Sequence, residues 1–461
     1  MTTGRNSEKS RYFVFIVITA ILSLTLALAA GEIMMRIVYC DGGTTTSGGP
    51  GGKRFIYTTD TDGMRGPHAE GPKRPGIKRI LVQGDSLTFG QGVKDWKKLY
   101  PYLLLQKLNE HGEKYEMETI GQIDREIDGH TKALELVVDK LKPDIILYQW
   151  YVNDIELRKN RPESRLTVWR DLPFHKWLKD RSYLYFFLDN RLSILLPSFN
   201  RSYDEYLLED FAEGTNNWAA FREMFHRWAT LATSQAERTI ILLYPALPFS
   251  GDKYPLSDIH DRMRKICGPN VMSYQVSYLP KIVGENVKDE TSRYGVVRKA
   301  QAGKTAPDTL VFGPYIPLAK GDYTVTFRMK TSALTPDPLA IVDVVAAKGS
   351  VTLAKKEVKG EDFGQAGQWR DFKLSFTVGE KRIDQVEFRV RYAGAADLYV
   401  DTIDLPVDYG IEVVDPTPQL KDFNTHASMF DAHPNARAHA VMADAFYKQI
   451  MTGGKKQIAS R

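Results

Sequence analysis

The longest uninterrupted apolar stretch lies near the start of the chain. YFVFIVITAILSLTLALAA, Tyr12 to Ala30, runs nineteen residues without a charge. Crossing bilayer hydrocarbon as a helix takes about 20 apolar residues. The apolar positions also continue through Ile33, Met34, Met35, Ile37 and Val38, so a membrane span is expected over 12–39. Arg5, Lys9 and Arg11 precede it. Basic flanks stay on the cytoplasmic side, which puts residues 1–11 inside and the remainder in an extracytoplasmic compartment, periplasm or cell surface. A cleaved signal peptide competes with a retained anchor, because Ala27-Leu28-Ala29 has the form of a cleavage site. The length of the apolar run favours the anchor, and both readings export the bulk of the chain.

After the anchor the pattern breaks into DGGTTTSGGPGGKR, Asp41 to Arg54, a composition that behaves as a flexible coil. A linker is expected over 40–76. From there short apolar runs alternate with helical spacing. IKRILVQG (Ile77 to Gly84), YEMETIG (Tyr115 to Gly121), DIILYQW (Asp144 to Trp150) and TIILLYP (Thr239 to Pro245) read as strands. Near-continuous apolar runs suit strands covered on both faces of a parallel sheet. HTKALELVVDKL, His130 to Leu141, carries Ala133, Leu136, Val137 and Leu141 at helical intervals. Strands alternating with helices predict a doubly wound α/β layer. Residues from about 160 to 236 read as helical and aromatic, with Trp169, Phe174, Trp177, Tyr183, Tyr185, Phe186, Phe187, Trp218, Phe221, Phe225 and Trp228. Packing against the sheet accounts for such residues; a lid or a face resting on the membrane is the sharper alternative.

The period then changes to two. GDYTVTFRMK sets Tyr323, Val325, Phe327 and Met329 against Thr324, Thr326, Arg328 and Lys330. RDFKLSFTV and QVEFRVRY repeat the alternation, which predicts an antiparallel β-sandwich over 269–405. IEVV (Ile411 to Val414) and PNARAHAVMADAFYKQI (Pro434 to Ile450) return to the α/β texture. The β block therefore reads as an insertion, splitting the α/β domain into 77–268 and 406–452.

Composition changes this picture little. With 461 residues and a net charge of +5, the chain offers no basic stripe that would call for nucleic acid. Cys40 and Cys267 could pair outside the cytoplasm but form no disulfide framework. Neither CxxC nor HExxH occurs, so no metal and no cofactor is expected.

The sharpest local signal is GDSLTFGQGV, Gly84 to Val93, directly after a strand and before a helix. A serine at such a turn stands at the carboxyl edge of the sheet, where open α/β folds build their sites. This segment resembles the first block of the SGNH/GDSL hydrolases. FDAHPNARAH, Phe430 to His439, resembles their last block, YVNDIE (Tyr151 to Glu156) the third and DREIDGHT (Asp124 to Thr131) the second. The resemblance implies a flavodoxin-like doubly wound sheet without a cofactor. It implies Ser86 as nucleophile, His433 as general base and Asp431 as the residue that orients it. An oxyanion hole would be formed by the Ser86 and Gly129 amides and the Asn153 side chain, with Gly121 as the alternative glycine. Three departures stand out: Asp-x-His in place of the commoner Asp-x-x-His, Tyr151 where the family has Gly, and Asp124 where it has Asn. Asp85 reads as structural, and His130, His426 and His439 as scaffold or surface.

The inserted β block, especially FGPYIPLAKGDYTVTFRMK and LYVDTIDL, resembles a carbohydrate-binding jelly roll. Taken together, these resemblances imply an exported serine esterase that removes acyl groups, acetyl foremost, from a polysaccharide through an acyl-enzyme. A sugar O-acetyltransferase, a lipase or thioesterase on a lipid substrate, and a non-catalytic polysaccharide-binding assembly protein are the alternatives. Beyond the acylated substrate and the membrane no partner is implied, and the oligomeric state is open.

Overall fold

The computed structural model describes residues 3–41, 65–69, 71–110, 115–123, 125–156, 173–179, 181–195, 203–247, 253–421, 423–428 and 431–458. Within these, the side chains of 3–11, 38–41, 176, 190–195, 203, 423, 427–428, 431–432 and 454–458 lie outside the description. Trp169, Asp124 and the side chains of Asp431 and Cys40 thus fall outside it. The first element is a single helix, α1 (Thr3–Asp41), whose segment Tyr12–Ile37 is long and apolar enough to cross a membrane. By length and composition alone it could equally be a signal sequence.

Next come β1 (Lys78–Gly84), α2 (Tyr100–Asn109), β2 (Tyr115–Gly121), α3 (Ile127–Leu141), β3 (Ile145–Trp150), α4 (Asn216–Gln235), β4 (Arg238–Leu243) and α5 (Ser257–Cys267). The antiparallel elements follow as β5 (Asn270–Gln275), β6 (Glu285–Lys288), β7 (Val296–Ala300), β8 (Thr309–Val311), β9 (Pro314–Thr331), β10 (Pro338–Ala346), β11 (Val351–Lys359), β12 (Arg370–Tyr392) and β13 (Leu398–Val407). The chain closes with β14 (Glu412–Val414) and α6 (Ala436–Ile458).

Strands β2-β1-β3-β4-β14, in that order, form an all-parallel five-stranded sheet. Counted without the intervening antiparallel strands this is the order 2-1-3-4-5, which reverses direction between β1 and β3. The continuous apolar runs are explained by the two faces. Ile80, Val82, Ile145, Leu147, Ile240 and Leu242 pack into one core with α2 and α6, while Leu81, Ile146, Tyr148, Trp150, Ile241 and Leu243 pack into another with α3 and α4. Neighbours along each strand point to opposite sides, and both sides are dry.

The antiparallel strands are hydrogen-bonded into one nine-stranded sheet that surrounds a core of its own. The long strands β9 and β12 run together from end to end, with register breaks between Val378 and Arg382 and between Ile383 and Val386. Bulges of this kind let a strand bend, so one pair serves both halves of the layer. The two bodies meet at α4, where the buried His226 joins Tyr409 Oη (2.7 Å) and the Pro317 carbonyl (2.9 Å).

The aromatic region divides in two. Trp218, Phe221, Phe225 and Trp228 of α4 are buried against the parallel sheet, whereas Phe174 and Trp177 are exposed.

Candidate active site

The point where strand order reverses leaves a crevice beyond the carboxyl ends of β1 and β3, and ligand sites of open α/β sheets form in such crevices. Ser86 follows β1 and Asn153 follows β3. Ser86 opens a one-turn helix, Ser86–Phe89, capped by Asp85, whose side chain accepts from the Leu87 N–H at 2.9 Å. The turn stops at Gly90, which has φ +82°, a conformation that glycine adopts without a steric penalty. Gly121 at the end of β2 lies so close that a Cβ there would sit 2.5 Å from Phe89 N, and only glycine lets the turn settle onto the sheet edge. As first residue of the turn, Ser86 has an N–H without a partner inside it.

His433 comes from the far end of the chain, on the short strand Asp431–Pro434. Its Nε2 lies 3.0 Å from Ser86 Oγ. For Ser86 to donate, that nitrogen must be the unprotonated one. Asn435 fixes the approach: its Oδ1 accepts from the Arg437 and Ala438 N–H groups and caps α6, while its amide donates to the carbonyls of Asn424 and His426. His433 is thereby held between a capped helix and a pinned loop.

Beneath the pair is a buried polar cluster. Asp85 is fully buried, and that burial pushes its carboxyl up to about 6, against the Leu87 N–H, the neighbouring His433 and the Asn153 and Gln149 amides, which pull it down. Its Oδ2 has no well-formed hydrogen bond, nor have Gln149 Nε2 and Asn153 Oδ1. Asp154 is raised well above the usual carboxylate range by burial and by the charge of Asp85. It receives the Tyr148 hydroxyl at 2.6 Å and lies 3.7 Å from His130. Burial depresses His130 to about 3, so it is neutral. Thr88 links the turn to the sheet through Gln149 Oε1 and Tyr100 Oη, both at 2.9 Å.

Asn153, in the 3-10 turn Val152–Ile155, thus sits beside Asp85, the residue that precedes the serine. Gly129 lies in the first turn of α3, where its N–H donates to Asp128 Oδ1 at 2.7 Å. Gly121, by contrast, touches the serine turn directly. His130 and His439 are both buried, and His439 Nδ1 accepts from the Tyr100 N–H.

Two contributors were not foreseen. Asp85 carries a charge coupled to His433 in addition to its capping role. Arg65, inside the expected linker, is buried and donates to the carbonyls of Phe89, Gly90, Val93 and Lys94, closing the far end of the serine turn. A lone arginine among glycines and aspartates carries no periodic signal by which it could have been found. Among the described residues no group of His, Cys, Asp and Glu is arranged to hold a metal ion, and Cys267 is a buried free thiol.

No family model and no curated protein matches this sequence. Solved structures match parts of it. The C-terminal family 6 carbohydrate-binding module of LamC from Zobellia galactanivorans aligns over 30% of this chain and 100% of its own, at 13% identity and TM-score 0.23. A carbohydrate-binding module of Cellvibrio mixtus lichenase 5A aligns over 29% and 95%, at 11% identity and TM-score 0.22. TesA aligns over 40% of this chain and 72% of its own, at 16% identity and TM-score 0.23.

Proposed function

We propose that this chain is an exported serine esterase that removes acyl groups from a glycan through an acyl-enzyme. The observation that carries the reading is the 3.0 Å contact between Ser86 Oγ and His433 Nε2 at the reversal point of the parallel sheet. A serine hydroxyl hydrogen-bonded to an imidazole is the minimal activated nucleophile. Ser86 Oγ attacks the ester carbonyl carbon while His433 Nε2 takes its proton. The resulting oxyanion is met by the Ser86 N–H and the Asn153 amide, with Gly129 or Gly121 as third donor. Collapse expels the alcohol with the proton from His433. Water then attacks the acyl-enzyme by the same route, releasing the acid and freeing Ser86. The ionised Asp85 favours the imidazolium that forms midway, and Asp431, two residues from the base, is assigned to orient it.

A glycan substrate is favoured by the antiparallel body. A cleft of about 460 Å³ opens there between Phe312, Tyr315, Lys348, Glu387 and Arg389. Rings beside a carboxylate and a guanidinium suit a hydroxyl-rich ring.

Turnover of p-nitrophenyl acetate by the full chain in detergent, with S86A alongside, tests the reading. Hydrolysis that S86A abolishes supports it; no hydrolysis, or hydrolysis unchanged in S86A, overturns it. Acetate release compared with acetyl transfer to an added oligosaccharide then separates water from a sugar hydroxyl as acceptor.

A further inference from the structure

Beyond the hydrolase site, Glu32, just past the uncharged run of α1, makes its contacts with another element. Glu32 of α1 accepts from Ser182 Oγ (2.7 Å), Tyr183 N (3.2 Å) and Leu184 N (3.0 Å), and it pairs with Arg36 at 2.9 Å. The N–H groups at a helix start lack partners within their own helix and favour a negative charge. Glu32 therefore caps the helix Tyr183–Leu195 from outside. One turn on, Met35 is buried against Phe186, and at Gly31 a Cβ would lie only 3.1 Å from Leu184. Three consecutive features of α1 thus fit one neighbour.

Their position along α1 gives the contact its meaning. The uncharged run Tyr12 to Ala30 spans about 28 Å as a helix, close to the hydrocarbon thickness of roughly 30 Å. The whole span Tyr12–Ile37 is longer than that thickness, and Gly31, Glu32 and Met35 lie in its last two turns, where the first charges after the uncharged run enter, so what they hold lies toward the headgroups. The helices held there carry what that layer favours. Phe174 and Trp177 are 64% and 51% exposed, their rings stacked at 6.1 Å, and the Arg181 guanidinium lies 5.1 Å from the Trp177 ring. Leu188 is exposed on the next helix. The aromatics of α4 are buried by contrast. Aromatic and basic side chains gather at membrane interfaces, where a ring meets hydrocarbon at one end and water at the other.

We propose that the helices Pro173–Lys179 and Tyr183–Leu195 rest in the headgroup layer of the phospholipid bilayer crossed by α1, locked to it by Glu32. The inference rests on α1 being a retained anchor. It gives the chain a second fixing at the membrane beside α1.

No tryptophan occurs in α1, so tryptophan quenching reports only on later residues. The full chain is reconstituted in phosphatidylcholine–phosphatidylglycerol vesicles with and without acyl chains brominated near the headgroup. Bromolipid should quench the wild type, W177F should remove most of that quenching, and E32A should lose it while still floating with the vesicles and retaining esterase turnover. A floating chain of intact mass whose quenching is the same in W177F overturns the proposal and leaves the anchor standing. A chain that does not float, or that has lost α1, overturns both. Shielding of Trp177 that follows protein concentration and ignores bromine would assign the surface to a second copy and also overturn it.

Discussion

The two bodies hold their buried charged groups differently. In the antiparallel body, Arg298 is almost completely buried, yet it donates to Asn286 Oδ1 and to the carbonyls of Val276, Leu279 and Leu310. Asp343, also buried, is gripped by Arg389 through two bonds and approached by Arg391 at 3.1 Å. Asp343 is paired with cations and Arg298 is satisfied by neutral oxygens, and buried charges held in these ways serve architecture. At the carboxyl ends of β1 and β3 a cluster of buried polar groups is less fully satisfied. Asp85 Oδ2, Gln149 Nε2, Asn153 Oδ1, Asp154 Oδ1 and both nitrogens of His130 are buried without a well-formed hydrogen bond. Orphaned buried groups are expensive and rare, and a fold tolerates them where something other than stability selects them. Tyr274, Arg391, Asp401 and Thr402 of the antiparallel body also bury an unpartnered polar atom; what marks the carboxyl ends of β1 and β3 is the gathering of such groups around Asp85, beside His433.

The largest effect expected from breaking that comparison is at the nucleophile and base. S86A and H433A should each lower kcat by about 10⁴-fold or more, with the double variant little worse, because groups that act as a unit are not additive. Equal losses that multiply in the double variant would mean that the two do not act together. N153A should lower kcat by roughly 10²- to 10³-fold with KM changed little, as for an oxyanion donor. A change confined to KM would reassign Asn153 to substrate binding. On the scaffold side, R298M removes four donated hydrogen bonds and should destabilise the antiparallel body by about 3 kcal/mol or more, seen as a lower urea midpoint. Its kcat for a small soluble ester should stay at the wild-type value; a fall in kcat would erase the contrast between the two bodies.

The smallest effect concerns pH. A carboxyl whose folded pKa is raised binds its proton more tightly when folded, so its contribution to stability is full below about pH 4 and lost as pH rises through about 6. D85N removes that loss. It should be more stable than wild type at pH 8 by up to about 3 kcal/mol and no more stable at pH 4, while its activity falls. The depressed histidines act in the other direction. His130 and His439 are held near 3 by burial and His226 near 4, so their contribution is present above about pH 6.5 and lost on acidification. Acid unfolding that starts below pH 6 in wild type and D85N alike would agree; a stability difference independent of pH would place the effect of Asp85 elsewhere.

Much of this was legible in the chain because it is local. The strands of the parallel sheet were written as unbroken apolar runs, and the antiparallel ones as alternation. Ser86 stood out by its place between a strand and a turn, and His433 by the Pro-Asn that begins a helix. Other features depend on the tertiary fold. Asp85 looked like a cap, and its coupling to His433 and Asp154 exists only once β1, β3 and the C-terminal strand converge. Arg65 seemed part of the linker, because its four carbonyl partners are assembled by the serine turn. Gly129 matched a motif position, while the close packing on the serine turn belongs to Gly121, whose need for glycine is a matter of space. The aromatic helices fitted two readings at once, and burial assigns one to α4 and leaves the other open for Phe174 and Trp177.

The central claim is that Ser86 is a nucleophile activated by His433, and covalent capture tests it most directly. The full chain is treated with a fluorophosphonate and the modified residue located by peptide mass. The account predicts a single phosphonyl adduct on the peptide containing Ser86, lost in S86A and strongly slowed in H433A. An unlabelled protein, or an adduct elsewhere that survives S86A, would contradict it.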